Sequence, residues 1–210
     1  MKKIFICQCI LLAAGRGQRF DPSGQRNKLS AQLASGDSVA ASSAKNLLAV
    51  NPRCLAVLSG APNQFPHQST ELLEQLHQLG CKTTVLSDSG RPFGMAYSLV
   101  HGIQQSRVDA DAWMIALADM PAIRPDSIQK LLDALRAGAD IAVLVYQGKR
   151  GHPVGFSRLY LPELLCLEGD QGARSLLSRY PVTEVVVDDP GILLDIDTTL
   201  DLETLNSISN

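Results

Sequence analysis

The chain has no apolar run approaching the ~18–20 residues that a membrane-spanning helix requires, no paired cysteine framework, and no large charge of either sign. Its net charge of −2 and isoelectric point near 6.1 remove any general attraction toward nucleic acid or an anionic membrane. The five cysteines, at 7, 9, 54, 81 and 166, are odd in number and scattered, so the expectation is buried, reduced thiols. Cys7 and Cys9 are two apart in a strand-like run and share a face, but no second pair stands near enough in sequence for a zinc or iron–sulfur site. His67, His77 and His101 show no metal-ligand spacing, and no His or Cys stands in an evident nucleophile arrangement. There is no repeat and no long linker. In 210 residues, 45% hydrophobic and 19% charged, that implies a single globular domain.

What is present concentrates in residues 4 to 28. Ile4 to Leu12 is almost continuously apolar, as a strand covered on both faces must be. Ala13 and Ala14 let the backbone approach whatever lies above the strand end, and Gly15 and Gly17 permit a tight turn that aims amide N–H groups at a ligand. Arg16, Arg19, Arg26 and Lys28 add four cations beside those amides, the requirements of a polyphosphate site. The loop is not a dinucleotide fingerprint, because Phe20 stands where a third glycine belongs. It is not a Walker loop either, since Lys28 is not preceded by glycine. The start of the chain, basic and then apolar, superficially resembles a signal peptide. The apolar run passes straight into the glycine loop, however, so a cytoplasmic protein is expected.

Farther on, helical patterns over 38–50, 72–79, 95–103 and 125–135 alternate with apolar strands at 54–59, 83–86, 112–118 and 141–146. This alternation predicts an α/β fold with a mostly parallel sheet and helices on both faces. A short strand at 153–156, short helices at 160–167 and 173–179, strands at 185–187 and 192–196, and a closing helix from 200 to 205 complete it. Asp119 follows a strand directly, the place where open α/β sheets bind ligands, and Pro121 stiffens its turn. Asp195 and Asp197 alternate across Ile196 and share one face if that segment is extended. A carboxylate from each of two strand ends suits Mg²⁺, while the bland reading of the second pair is an N-cap for the last helix.

LAAGRGQRF with Lys28, FGMAYSL at 93–99, DMP at 119–121, GHPVGF at 151–156, GDQGAR at 169–174 and LLDIDTTLDL at 193–202 together resemble the single-domain, Rossmann-like nucleotidyltransferases. Within them the chain is most similar to the molybdenum cofactor cytidylyltransferase group. The resemblance implies transfer of CMP from CTP to molybdopterin cofactor with release of pyrophosphate. It implies Mg²⁺ on Asp119 and Asp197 (Asp195 being the alternative), and Arg19, Lys28 and Asp119 as catalytic groups. The nucleotide would meet Ala13, Ala14, Gly15, Gly17, Arg19, Lys28, Ser59, Gly60, Gly94 and Ser98. The acceptor would meet His152, Asp170, Gly172 and Arg174. A nucleotide half at about 1–118 and an acceptor half at about 119–210 follow, with a molybdenum hydroxylase or its maturation factor as the partner implied. The same chemistry on another base or a sugar or polyol phosphate, and a non-catalytic carrier of the cofactor, are the competing readings. The chain departs from the group's pattern in a polar stretch after Lys28 and in Thr199, where proline is usual.

Overall fold

The computed structural model describes residues 4–15, 17–23, 25–59, 66–86 and 94–208. The N-terminal apolar run becomes strand β1 at Cys7–Ala13, and every residue of it is buried. Its neighbours are β2 (Cys54–Leu58) on one side and β4 (Ala112–Leu117) on the other, both parallel to it. Outward from β2 lies β3 (Lys82–Val85). Outward from β4 lie β6 (Lys149–Ser157), β5 (Ile141–Tyr146) and β7 (Thr183–Val186), completing a seven-stranded sheet ordered β3-β2-β1-β4-β6-β5-β7. Among the described strands only β6 runs against the rest, pairing antiparallel with both β4 and β5. The segment read as a short strand at 153–156 is thus part of a nine-residue hairpin arm.

The sheet alternation sorts the helices by face. Cys9, Leu11 and Met114 point toward α1 (Val39–Leu48), α2 (Pro66–Gln78) and α4 (Pro125–Arg136). Ile10, Leu12, Trp113 and Ile115 point toward α3 (Met95–Gln104), α5 (Leu161–Leu165) and α6 (Arg174–Arg179). α4 shows why such segments are helical. Ile128, Leu131, Leu132 and Leu135 bury one stripe, Pro125 occupies the first turn, and Gly138 follows in a left-handed conformation. The last helix, α7 (Thr199–Ile208), lies beyond these layers, with Leu202 and Leu205 against a small cluster of Phe20, Val39 and Ile196.

Two expectations are corrected. Residues 192–196 do not form a strand. Pro190–Leu193 make a 3-10 turn, because Pro190 fixes the backbone and Asp189 accepts the Gly191 N–H at 3.0 Å. Four cysteines are buried as expected, but Cys166 is exposed at the end of α5. His77 and His101 bond to Thr83 and Thr84 of β3 (2.7 and 2.9 Å), structural roles in keeping with their lack of metal spacing. Among the described residues no helix is long and apolar enough to cross a membrane.

Candidate active site

The parallel strands β1 and β4 end side by side, and their exits carry the site. After β1 the chain turns at Gly17, whose φ of +60° suits glycine, and comes back to Lys28. A Cβ on Gly17 would lie 3.3 Å from the Cγ of Lys28, so the lysine stem runs over the bare glycine. Asn27 accepts the Leu29 N–H at 3.0 Å and Leu29 is buried, which anchors the turn that carries Lys28. From the end of β4, Asp119 faces the same point. Its loop is held by Ser43, which donates to the Ala118 carbonyl, and by Asn46, which donates to that of Pro121 (both 2.9 Å).

Lys28 Nζ donates to Asp119 Oδ2 at 2.6 Å and to Asp197 Oδ1 at 2.9 Å, and Arg19 Nη2 lies 2.7 Å from Asp197 Oδ2. Burial works against the Lys28 charge, but Asp119 and Asp197 outweigh it and hold the ammonium above the ordinary lysine value. Burial likewise works against Asp197, yet Lys28 and then Arg19 keep its carboxyl below the usual range. Asp195 is pushed up, first by burial and next by the charge of Asp197. Asp197, rather than Asp195, therefore meets the cations. Neither aspartate is the helix cap. Thr198 and Asp201 cap α7 reciprocally, with Asp201 Oδ2 accepting the Thr198 N–H at 2.7 Å and Thr198 Oγ1 accepting the Asp201 N–H at 3.2 Å.

Beside this cluster opens a cleft of about 160 Å³ lined by Ala14, Gly15, Lys28, Gly94, Ser98 and Asp119, among others. It thus gathers residues read from three separate motifs. Ala13 is buried beneath it and Ser59 is exposed at the end of β2, while Gly60 and Arg16 lie outside the described residues. Arg26 is turned away and sits 5.3 Å from the centroid of the Phe20 ring. The residues assigned to the acceptor are placed as follows. Asp170 and Gly172 clasp the start of α3: a Cβ on Gly94 would lie 2.3 Å from the Gly169 carbonyl and 2.7 Å from Asp170 Oδ1, and one on Gly172 would meet Met95 at 2.8 Å. Gly94 is therefore required for packing whatever it binds. Exposed Arg174 acts on His152 electrostatically, as does Asp119.

One participant was not anticipated from the sequence. Asp189, 2% exposed, accepts from Arg124 N (2.9 Å), Ser127 Oγ (2.7 Å) and Gly191 N (3.0 Å). It thereby ties the segment after Asp119 to the segment before Asp197, and the Ile196 N–H adds a bond to the Asp119 carbonyl at 2.9 Å. The only local signal was the turn-forming run Asp189-Pro190-Gly191.

The donor set fits a hard divalent cation. Asp119 Oδ1 is buried with no hydrogen-bond partner, and carboxylate oxygen is the ligand such ions take. Among the described residues no group of three or more His, Cys, Asp or Glu is placed to hold a metal. The protein's share would be two carboxylates, with water and phosphate oxygens completing the shell, the usual habit of Mg²⁺.

His152 is half-buried as a ring, but its Nδ1 is shut off from solvent without a partner. Burial lowers its pKa below the ordinary 6.5, against the raising effect of Asp119. A histidine that stays neutral when folded but protonates when unfolded contributes stability fully above pH ~6.5, and loses it as pH falls toward the folded value. His152→Asn should therefore lose less stability than the parent between pH 7 and pH 5, as urea midpoints at both pH values would read. An equal loss in the two proteins would mean that the ring protonates freely in the fold.

The chain as a whole is similar to known proteins. A family model described as the MobA-like NTP transferase domain matches residues 9–185. The purine catabolism protein PucB of Bacillus subtilis is 30% identical over 198 residues, 90% of each chain. The crystal structure of Rv0371c from Mycobacterium tuberculosis superposes with a TM-score of 0.77 at 24% identity, covering 98% of this chain and 100% of that one. A manganese complex of that protein gives 0.73, at 24% identity over 96% and 98%. The 4-diphosphocytidyl-2C-methyl-D-erythritol synthase of Anaerococcus prevotii shares the fold at a TM-score of 0.69 and 13% identity, over 98% of both chains.

Proposed function

This chain belongs to the MobA-like NTP transferase family, and on that footing we propose that it transfers CMP from CTP to molybdopterin cofactor with release of pyrophosphate. The observation that carries the proposal is the pairing of Lys28 and Arg19 with Asp119 and Asp197 at the mouth of the cleft lined by Ala14 and Gly15. Two cations and two carboxylates converging there match a reaction that must gather polyphosphate charge.

Lys28 and Arg19 would turn from the carboxylates to the triphosphate, with the loop of Gly15 and Gly17 beneath it and Gly94 and Ser98 toward ribose and base. Asp119 and Asp197 would hold Mg²⁺, which when bound neutralises charge on the phosphoryl oxygens and the departing pyrophosphate. His152, Asp170, Gly172 and Arg174 are the residues assigned to the acceptor. An oxygen of the acceptor's phosphate forms the new bond to the α-phosphorus as the bond to the bridging oxygen breaks, and that oxygen leaves with pyrophosphate. A phosphate monoester is already ionised near neutral pH, so no general base is needed. A molybdenum hydroxylase or its maturation factor is the partner that such a product implies.

The fold shared with the erythritol synthase favours a second reading, the same transfer to a polyol phosphate. A pyrophosphate-release assay decides between them, with CTP or GTP set against molybdopterin cofactor and a panel of sugar and polyol phosphates. Release with CTP only when the pterin cofactor is present is the expected result. Release with a polyol phosphate would keep the site and discard the acceptor. No release under any pairing, with tight cofactor binding, would point to a carrier.

A further inference from the structure

The Lys28 bridge is built into the fold. The side chain is 8% exposed, its stem crosses the bare Gly17, and its ammonium touches one oxygen from each of two carboxylates that are themselves 19% and 21% exposed. The flanking residues Asn27 and Leu29 fix the turn that presents it. We infer that Lys28 is an internal counter-ion which weakens the hold of Asp119 and Asp197 on a bare divalent cation, and which yields readily only to the phosphates of an incoming nucleotide. The inference rests on the proposed reading of the site as a nucleotide and metal centre.

The argument is one of charge and contact. Arg19 and Lys28 already stand one for one against Asp197 and Asp119, so a free cation meets no uncompensated pair of carboxylates. To reach Asp119 Oδ2 and Asp197 Oδ1 it must also remove an ammonium in hydrogen-bond contact with both. At a mostly buried site that exchange has no strong solvation of the ammonium to drive it. A triphosphate changes the balance, because Lys28 itself lines the cleft and would find replacement oxygens there without leaving it. The carboxylates are then released in the same event that delivers phosphate ligands for the cation. Asp119 Oδ1, buried and unpartnered, is the oxygen left over for such a second cation. Departure of pyrophosphate would return Lys28 to the carboxylates and expel the metal. Nucleotide therefore precedes metal, and the empty enzyme does not retain one.

Mn²⁺ is a suitable probe, read by electron paramagnetic resonance on the full chain. The parent should bind Mn²⁺ alone at least tenfold more weakly than Lys28→Met does, and should retain it when CTP is added. Equal affinity of parent and variant for Mn²⁺ alone overturns the inference, as does a variant that gains none. If the parent binds Mn²⁺ neither alone nor with CTP, the reading of the site as a metal centre fails, and the inference falls with it. Should Lys28→Met fold poorly, the parent still provides a test through acetic anhydride labelling read by mass spectrometry. Lys28 should be protected relative to the half-exposed Lys45, and should gain label at Mn²⁺ concentrations that fill the site. Unchanged protection at full occupancy overturns the exchange.

Discussion

Asp119→Ala is expected to lower turnover by about 10³-fold or more, a loss of several kcal/mol of transition-state stabilisation, while leaving the fold in place. The side chain lies at the exit of β4, half-buried, and its packing contribution is small beside its charge. Two features disappear together: the contact to Lys28 and the buried, unpartnered Oδ1 proposed for a divalent ion. The loop backbone should persist, because its ties run through Ser43, Asn46 and the Ile196 N–H rather than through the Asp119 carboxylate. Steady-state turnover with thermal unfolding alongside checks this. Turnover within tenfold of the parent, in a variant that melts normally, would remove Asp119 from the chemistry and leave Asp197 as the carboxylate to examine.

The parts legible from the sequence are those set by local pattern. β1 and β4 read as buried strands because a sheet covered on both faces leaves no polar alternation. Asp119 and the loop to Lys28 then followed as strand exits, the place where such a sheet binds ligands. That Lys28 and Asp119 touch across 91 positions in sequence could not follow from spacing; the family resemblance implied only that both serve one catalytic site, and the fold brings them into contact. The strand expected at 192–196 failed because its apolar residues are drawn into two separate packings. Ile192, inside the Pro190–Leu193 turn, joins the sheet core, while Ile196, beyond the turn, packs with Phe20. Gly94 read as a ligand contact and does line the cleft, and it is also pressed against the Gly169 carbonyl, 75 positions away, a proximity only the fold creates. The helix cap was legible in principle, since Thr198 and Asp201 have capping-box spacing, but the adjacent aspartates drew the assignment.

Asp189→Ala should be the most destabilising single change near the site, by about 3–5 kcal/mol. The residue is 2% exposed and accepts three hydrogen bonds, from Arg124 N, Ser127 Oγ and Gly191 N, with the Arg124 guanidinium 3.5 Å away. Alanine leaves those donors without their acceptor, two of them backbone N–H groups that cannot turn to water without moving the chain. Movement is itself restricted, because a Cβ on Gly191 would lie only 2.2 Å from the Ala122 carbonyl, showing how closely the two segments are pressed together. In a chain of this size, such a loss corresponds to a fall of roughly 10 °C in melting temperature. The consequence for function is separable from the loss of stability. Asp189 joins the start of α4, reached from Asp119, to the turn that leads to Asp197, so its removal should loosen the distance between the two carboxylates. At temperatures where Asp189→Ala is still folded, turnover should fall while nucleoside binding stays near the parent value. Asp189→Asn, which keeps one acceptor oxygen for Arg124 N and Ser127 Oγ but turns its NH2 toward the Gly191 N–H, should recover only part of both properties. Chemical denaturation of the three proteins with turnover at low temperature provides the test, and a loss below about 1 kcal/mol for alanine would mean that solvent reaches these donors readily and that the two loops are held by other contacts.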